Sequence, residues 1–118
     1  MVLLKEVDNP EAYGVAEFGP GGALKRIIEK PAQPPSRYAI IGVYLYDQQV
    51  WEIIPRLQPS KRGELEITDV NNAYLDLGQL AHGILDCEWG DAGESHRSYF
   101  AANEVAWRHN LFAELNHH

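Results

Sequence analysis

Four short stretches carry the residue types that sugar and phosphate chemistry uses. Arg62 to Asn71, RGELEITDVN, sets a cation, carboxylates and a helix start within one turn-forming segment. Glu29 and Lys30 are adjacent at the end of a β-prone run, so their side chains diverge and one strand terminus can address two different groups. Tyr13-Gly14 taken alone reads as a turn, and Trp89 to Ser95, WGDAGES, holds Asp91 in a glycine-punctuated loop. A phosphorylated monosaccharide calls for carboxylates that accept from hydroxyls, close backbone donors, and cations converging on a group that is roughly dianionic at neutral pH. The chain offers all three. Each stretch also has a plainer reading. Glu29-Lys30 is compatible with a surface ion pair, Arg62 with local pairing to Glu64 and Glu66, and Asp91 with an Asx turn before Gly93. Glu64, Thr68 and Asp69 read as helix-start architecture, because carboxylates and hydroxyls there satisfy orphan N–H groups.

The elements that must position these residues follow from pattern. Met1 to Val7 is apolar and β-prone and is broken by Asp8-Asn9-Pro10, which predicts a strand ending in a turn. Val15 to Phe18 and Leu24 to Glu29 flank Gly19-Pro20-Gly21-Gly22 and predict a hairpin whose second strand delivers Glu29 and Lys30. Pro31, Pro34 and Pro35 enforce an extended connection and restrict the residues before them. Tyr38 to Tyr46 is a nearly continuous β-branched and aromatic run, as expected of an interior strand covered on both faces. Asp47 can cap a short helix carrying Val50, Ile53, Ile54 and Leu57, with Pro55 at its end. Ile67, Val70, Tyr74 and Leu77 recur at helical spacing, and Gly78 stands where a left-handed C-cap belongs. Leu80 to Cys87 predicts another strand. Ser95 opens a last helix whose stripe is Tyr99, Phe100, Ala102, Ala106, Trp107 and Leu111. This order gives an α/β protein with a mixed sheet, a β-hairpin and three helices, in a single domain over residues 1–118. It leaves the first strand without a preceding partner, so an exposed sheet edge is expected there, along with homo-oligomer formation through it.

Composition removes several function classes. A formal charge of −7, with ten basic residues scattered rather than clustered, argues against a nucleic-acid partner. No apolar stretch approaches the roughly 20 residues that span a bilayer, and the N-terminus lacks a signal-peptide pattern, so neither membrane nor export is expected. Cys87 is the single cysteine, which agrees with a reducing, cytoplasmic location. His82, His96, His109, His117 and His118 show no metal-ligand spacing, and the terminal pair is compatible with a tag remnant.

RGELEITDVN, EKP, YGV and WGDAGES together make the chain resemble the sugar-1-phosphate nucleotidyltransferases, most closely their glucose-1-phosphate thymidylyltransferase branch, over about residues 4–103. The resemblance implies the C-terminal half of a Rossmann-like nucleotidyltransferase fold. The family's glycine-rich GGxGTRLxPxT loop, and the magnesium-binding aspartate that follows it, occur nowhere in the 118 residues. The expectation is therefore a partial domain without the nucleotide-binding half, which takes a sugar 1-phosphate, meets a nucleoside triphosphate only with the missing half, and is inactive alone. A non-catalytic sugar-phosphate-binding or assembly module is the alternative. By the same resemblance Glu29 and Tyr13-Gly14 contact the hexose, Lys30 and Arg62 are the catalytic cations on its phosphate, and Ile40 and Tyr44 are pocket-wall positions. Core packing is the plainer reading of those last two. Asp91 is the candidate Mg²⁺ ligand, since a hard cation takes oxygen donors. One carboxylate binds the ion weakly, its partner is not in this chain, and Glu94 stands where the family usually has threonine.

Overall fold

The computed structural model describes residues 1–109, so Leu111, His117 and His118 lie outside the described residues. The chain divides into two compact units, one spanning Met1–Leu85 and one from Asp86 onward.

The first unit is built on a five-stranded sheet: β1 (Val2–Glu6), β2 (Gly14–Phe18), β3 (Leu24–Glu29), β4 (Tyr38–Tyr44) and β5 (His82–Ile84), in spatial order β3-β2-β4-β1-β5. The hairpin forms as its turn composition predicts, with Gly14 opposite Glu29 and Ala16 opposite Ile27. The β-branched run of β4 takes the centre, antiparallel to both β1 and β2. Leu4 faces Ile40 and Val2 faces Tyr44, so β4 carries a bulge within residues 41–43 that keeps both pairs on one side. Ala39, Ile40 and Ile41 are buried, whereas Val43 is exposed, so the two-sided cover expected of this strand holds only over its first half.

The expectation for the open edge is overturned. The first strand is interior: β5 returns parallel to it, Val2 opposite His82 and Leu4 opposite Ile84, while β4 holds its other side. The sheet ends instead at β5 and at β3. Part of the β3 edge is closed by one side chain, because Asn72 donates Nδ2–H to Ile27 O at 2.8 Å and accepts Ile27 N–H on Oδ1 at 2.9 Å. A primary amide matches both groups of one residue on the open edge of a strand, and so removes the outward-facing donor and acceptor that invite another chain.

Three helices follow the predicted order: α1 (Val50–Ile53), α2 (Ile67–Asp76) and, in the second unit, α3 (His96–Arg108). Asp47 Oδ1 accepts Gln49 N–H at 3.0 Å just ahead of α1, whose turns end beyond Pro55. α2 stops at Gly78, where φ is +67°; Gly78 N–H reaches Leu75 O and Gln79 N–H reaches Tyr74 O, the paired bonds of a Schellman cap. The core under α2 joins Val2, Leu4, Ala16, Ile27 and Ile40, with Leu75 and Leu80 packed against them. The helix does not bury the stripe its apolar spacing predicts. Ile67 and Leu77 are exposed, while Thr68 and Asn71 are buried beside Val70 and Tyr74; Thr68 donates to Glu29 at the sheet edge and Asn71 Oδ1 accepts from Tyr46, while Asn71 Nδ2 has no partner among the described residues.

In the second unit, Ser95 and Ser98 form a reciprocal capping box that starts α3, with Ser98 N–H donating to Ser95 Oγ at 3.1 Å and Ser95 N–H to Ser98 Oγ at 2.9 Å. Glu88 ties down the helix end, accepting from Arg108 at 2.6 Å and meeting His109 Nε2 at 2.7 Å. Tyr99, Phe100 and Trp107 of the predicted stripe are exposed. Replacing Ser95 with alanine is expected to destabilise this unit by about 1 kcal/mol, since the cap satisfies N–H groups that the helix cannot. Circular dichroism during thermal unfolding, with Ser95→Thr as the retained-cap control, checks this.

Candidate functional site

The hairpin gathers four of the sequence-predicted residues. Tyr13 ends a 3-10 turn at Pro10–Ala12, and its carbonyl accepts Lys30 N–H at 3.0 Å, so the segments entering β2 and leaving β3 are clamped side by side. Glu29, the last residue of β3, lies opposite Gly14, the first of β2. A Cβ on Gly14 would stand 3.2 Å from Thr68 Oγ1 and 3.3 Å from Glu29 Oε2, so glycine is what lets α2 and the carboxylate approach this corner. Thr68 Oγ1 donates to Glu29 Oε2 at 2.6 Å, a short charge-assisted bond from a residue that is itself buried.

Lys30 is exposed and has φ of +41°, alone among the non-glycine residues described. A side chain in this region costs roughly 1–2 kcal/mol relative to right-handed backbone. Its place before Pro31 would ordinarily direct it to extended backbone. The turn is held by its N–H bond to Tyr13, and it brings the chain round directly after Glu29.

A cleft of about 280 Å³ opens beside this corner, lined among others by Arg26, Glu29, Lys61, Arg62, Glu66 and Thr68. Glu29 and Arg62, 33 positions apart in sequence, thus line one concavity, whereas Lys30 is not among its lining residues. Arg62 sits on a closed turn in which Ser60 N–H reaches Glu64 O and Gly63 N–H reaches Ser60 O, each at 2.8 Å. Its Nη2 meets Glu64 Oε2 at 2.9 Å and its Nη1 lies 3.8 Å from Glu66 Oε1, so the local pairing open to it in the sequence is made.

Tyr44 and Ile40 fall on one side of β4, as even spacing requires. Ile40 belongs to the core cluster, the plainer of its two readings, and Tyr44 packs against that cluster. Burial raises the Tyr44 phenol above its usual range, and the negative charge of Glu29 raises it further, so a neutral hydroxyl stands within the field of the carboxylate. Its ring stacks on Tyr46, which stacks on Tyr74; Tyr46 Oη donates to the buried Asn71 at 2.6 Å and Tyr74 Oη to Asp47 at 2.8 Å. Asp91 lies in the second unit, where its Oδ1 accepts Gly93 N–H at 2.8 Å in the Asx turn that its sequence also allowed. Among the described residues no three His, Cys, Asp or Glu side chains gather as a metal site, and no helix is long and apolar enough to cross a membrane.

Residues 1–108 match the family described as nucleotidyl transferase. Glucose-1-phosphate thymidylyltransferase of Xanthomonas campestris pv. campestris (strain B100) is 46% identical over 101 residues, covering 84% of this chain and 34% of its own length. The enzyme of the same name from Mycobacterium tuberculosis (strain CDC 1551 / Oshkosh) is 49% identical over 89 residues, 74% of this chain and 31% of the relative. The chain spans about a third of the length of these curated relatives. A solved structure from Bacillus anthracis, assigned as a glucose-1-phosphate thymidylyltransferase and complexed with a sucrose, superimposes with a TM-score of 0.80 at 48% identity, over 89% of this chain and 42% of that one. A UDP-glucose pyrophosphorylase structure complexed with UDP-glucose shares the fold, with a TM-score of 0.77 at 24% identity over 91% and 43% of the two chains. By the length of the family match and the superposition of its mixed sheet and helices, this chain belongs to the nucleotidyl transferase family.

Proposed function

We propose that the chain supplies the sugar-phosphate side of a sugar-1-phosphate nucleotidyltransferase with glucose 1-phosphate as its sugar substrate, and that these 118 residues do not turn over by themselves. The observation that carries this reading is the Gly14–Glu29–Thr68 corner, opening on a cleft that Arg62 also lines. Glu29, which lines the cleft, accepts from hexose hydroxyls, and the backbone of the Tyr13-Gly14 segment meets the sugar edge. Lys30 and Arg62 hold the phosphate, with Tyr44 and the Tyr13 turn as walls. An oxygen of that phosphate attacks the α-phosphorus of a nucleoside triphosphate, the bond to the β-phosphate oxygen breaks, and pyrophosphate leaves. The work of such a site is positioning and charge neutralisation, so it needs no covalent nucleophile. Asp91, in the second unit, has the hard-oxygen chemistry that would hold a largely hydrated Mg²⁺, and the ion when bound would supply charge neutralisation. A single carboxylate would hold the ion weakly.

A pyrophosphate-release assay with glucose 1-phosphate, dTTP or UTP, and Mg²⁺ is expected to stay at background, while calorimetry with glucose 1-phosphate alone is expected to show saturable binding. Turnover above background would overturn the inactivity, and absent binding would overturn the sugar-phosphate reading. In that case the assembly role remains, favoured by the exposed Tyr99, Phe100 and Trp107 on α3.

A further inference from the structure

The cation assigned above to the phosphate already holds an anion. Arg62 Nη2 is 2.9 Å from Glu64 Oε2 and Nη1 is 3.8 Å from Glu66 Oε1, but the two carboxylates are placed differently. The Glu66 side chain is 14% exposed and its Oε1 also accepts Ser60 Oγ–H at 2.9 Å, so it is fixed to the loop. The Glu64 side chain is 61% exposed, and its carboxylate makes no other hydrogen bond among the described residues. The backbone beneath the pair is closed by three bonds to Ser60: from Arg62 N–H to its Oγ at 3.2 Å, from Gly63 N–H to its carbonyl, and from its own N–H to Glu64 O. Arg62 can therefore exchange one partner for another by side-chain rotation alone, with the loop unchanged.

The geometry points to Glu64 as an internal competitor for the phosphate site, a carboxylate that occupies the Arg62 guanidinium until a sugar phosphate displaces it. The inference rests on the sugar-phosphate reading of the cleft. A guanidinium binds a dianionic phosphate through two parallel charge-assisted bonds, and an exposed carboxylate is a weaker partner that side-chain entropy and salt both loosen. The displaced Glu64 returns to water at little cost. Two consequences follow. Binding is weaker than the bare cation would give, which favours release, and it exchanges one ion pair for another, which flattens its dependence on salt.

The test is calorimetric titration of glucose 1-phosphate into the wild-type chain, Glu64→Gln, Arg62→Ala and the double variant, at low and high salt. Glu17→Gln, which breaks the distant pair with Lys25 at 2.7 Å, carries the same change in net charge as a control. Glu64→Gln is expected to bind roughly two- to fivefold more tightly, the range an exposed ion pair spans. Its affinity should fall more steeply with salt than the wild type's. Glu17→Gln should match the wild type and the double variant should match Arg62→Ala. Wild-type binding that needs Arg62 but is unchanged or weakened in Glu64→Gln overturns the competitor and leaves the sugar-phosphate reading standing. No binding by either chain overturns both.

Discussion

Replacing Lys30 with alanine is expected to weaken glucose 1-phosphate binding roughly ten- to hundredfold, the range of a hydrogen bond to a charged group, and to leave stability near that of the wild type. Replacing it with glycine is expected to weaken binding equally and to raise stability by roughly 1 kcal/mol. The divergence comes from the backbone. Lys30 has φ of +41°, so alanine removes the ammonium but keeps the Cβ in the disfavoured region, while glycine removes both. The gain on glycine is the relieved strain less the greater freedom that glycine has in the unfolded chain. A non-glycine residue is retained at such a backbone position when its side chain does work there, and in the proposed function that work is on the phosphate. Arg62→Ala should lose binding to a similar degree without any gain in stability, because its loop carries the left-handed residue at Gly63 instead. Urea unfolding beside calorimetry checks both axes. A Lys30→Gly variant that binds as the wild type does would remove Lys30 from the site.

Much of this architecture is written in local pattern. The glycine-proline turn at residues 19–22 specifies the hairpin, the β-branched run from Tyr38 specifies the central strand, and Gly78 ends α2 where a left-handed cap was expected. What pattern does not encode is which strands become neighbours. The return of β5 alongside β1 is a pairing across about 80 residues, and nothing in the alternation of either segment announces it, so the first strand reads as an edge although it is interior. The same limit applies to polar burial. Thr68, Asn71 and Asn72 look like the solvated side of an amphipathic helix, yet all three reach tertiary partners: Glu29 at the end of β3, Tyr46 in the segment after β4, and the backbone of Ile27. Thr68 at a helix start is expected to satisfy an orphan N–H, but α2 has no side-chain cap and the hydroxyl donates to Glu29 instead, a partner 39 positions away that local pattern does not name. Lys30 shows the converse. The rule for a residue before proline predicts extended backbone, and the tertiary bond from its N–H to Tyr13 wins.

Thr68→Val is expected to destabilise the first unit by about 1–3 kcal/mol and to weaken glucose 1-phosphate binding as well, although the sequence marks this residue as architecture. Valine keeps the shape of threonine and its β-branched restriction, so the helix and the packing around it change little. What disappears is the 2.6 Å bond to Glu29 Oε2, leaving an ionised acceptor at a corner where the hydroxyl gave way to a methyl group. The carboxylate then keeps no donor on this side, and rotation of Glu29 toward solvent restores hydration to its Oε2. That rotation breaks the alignment of the hexose acceptor with Arg62 in the cleft. Thr68→Ser, which retains the hydroxyl and loses only a methyl, should restore most of the binding, whereas a packing defect would not be repaired by a smaller side chain. Binding that survives in Thr68→Val, or is lost alike in Thr68→Ser, would mean that the hydroxyl does not position Glu29. The chemistry of the corner would then rest on Lys30 and Arg62 alone.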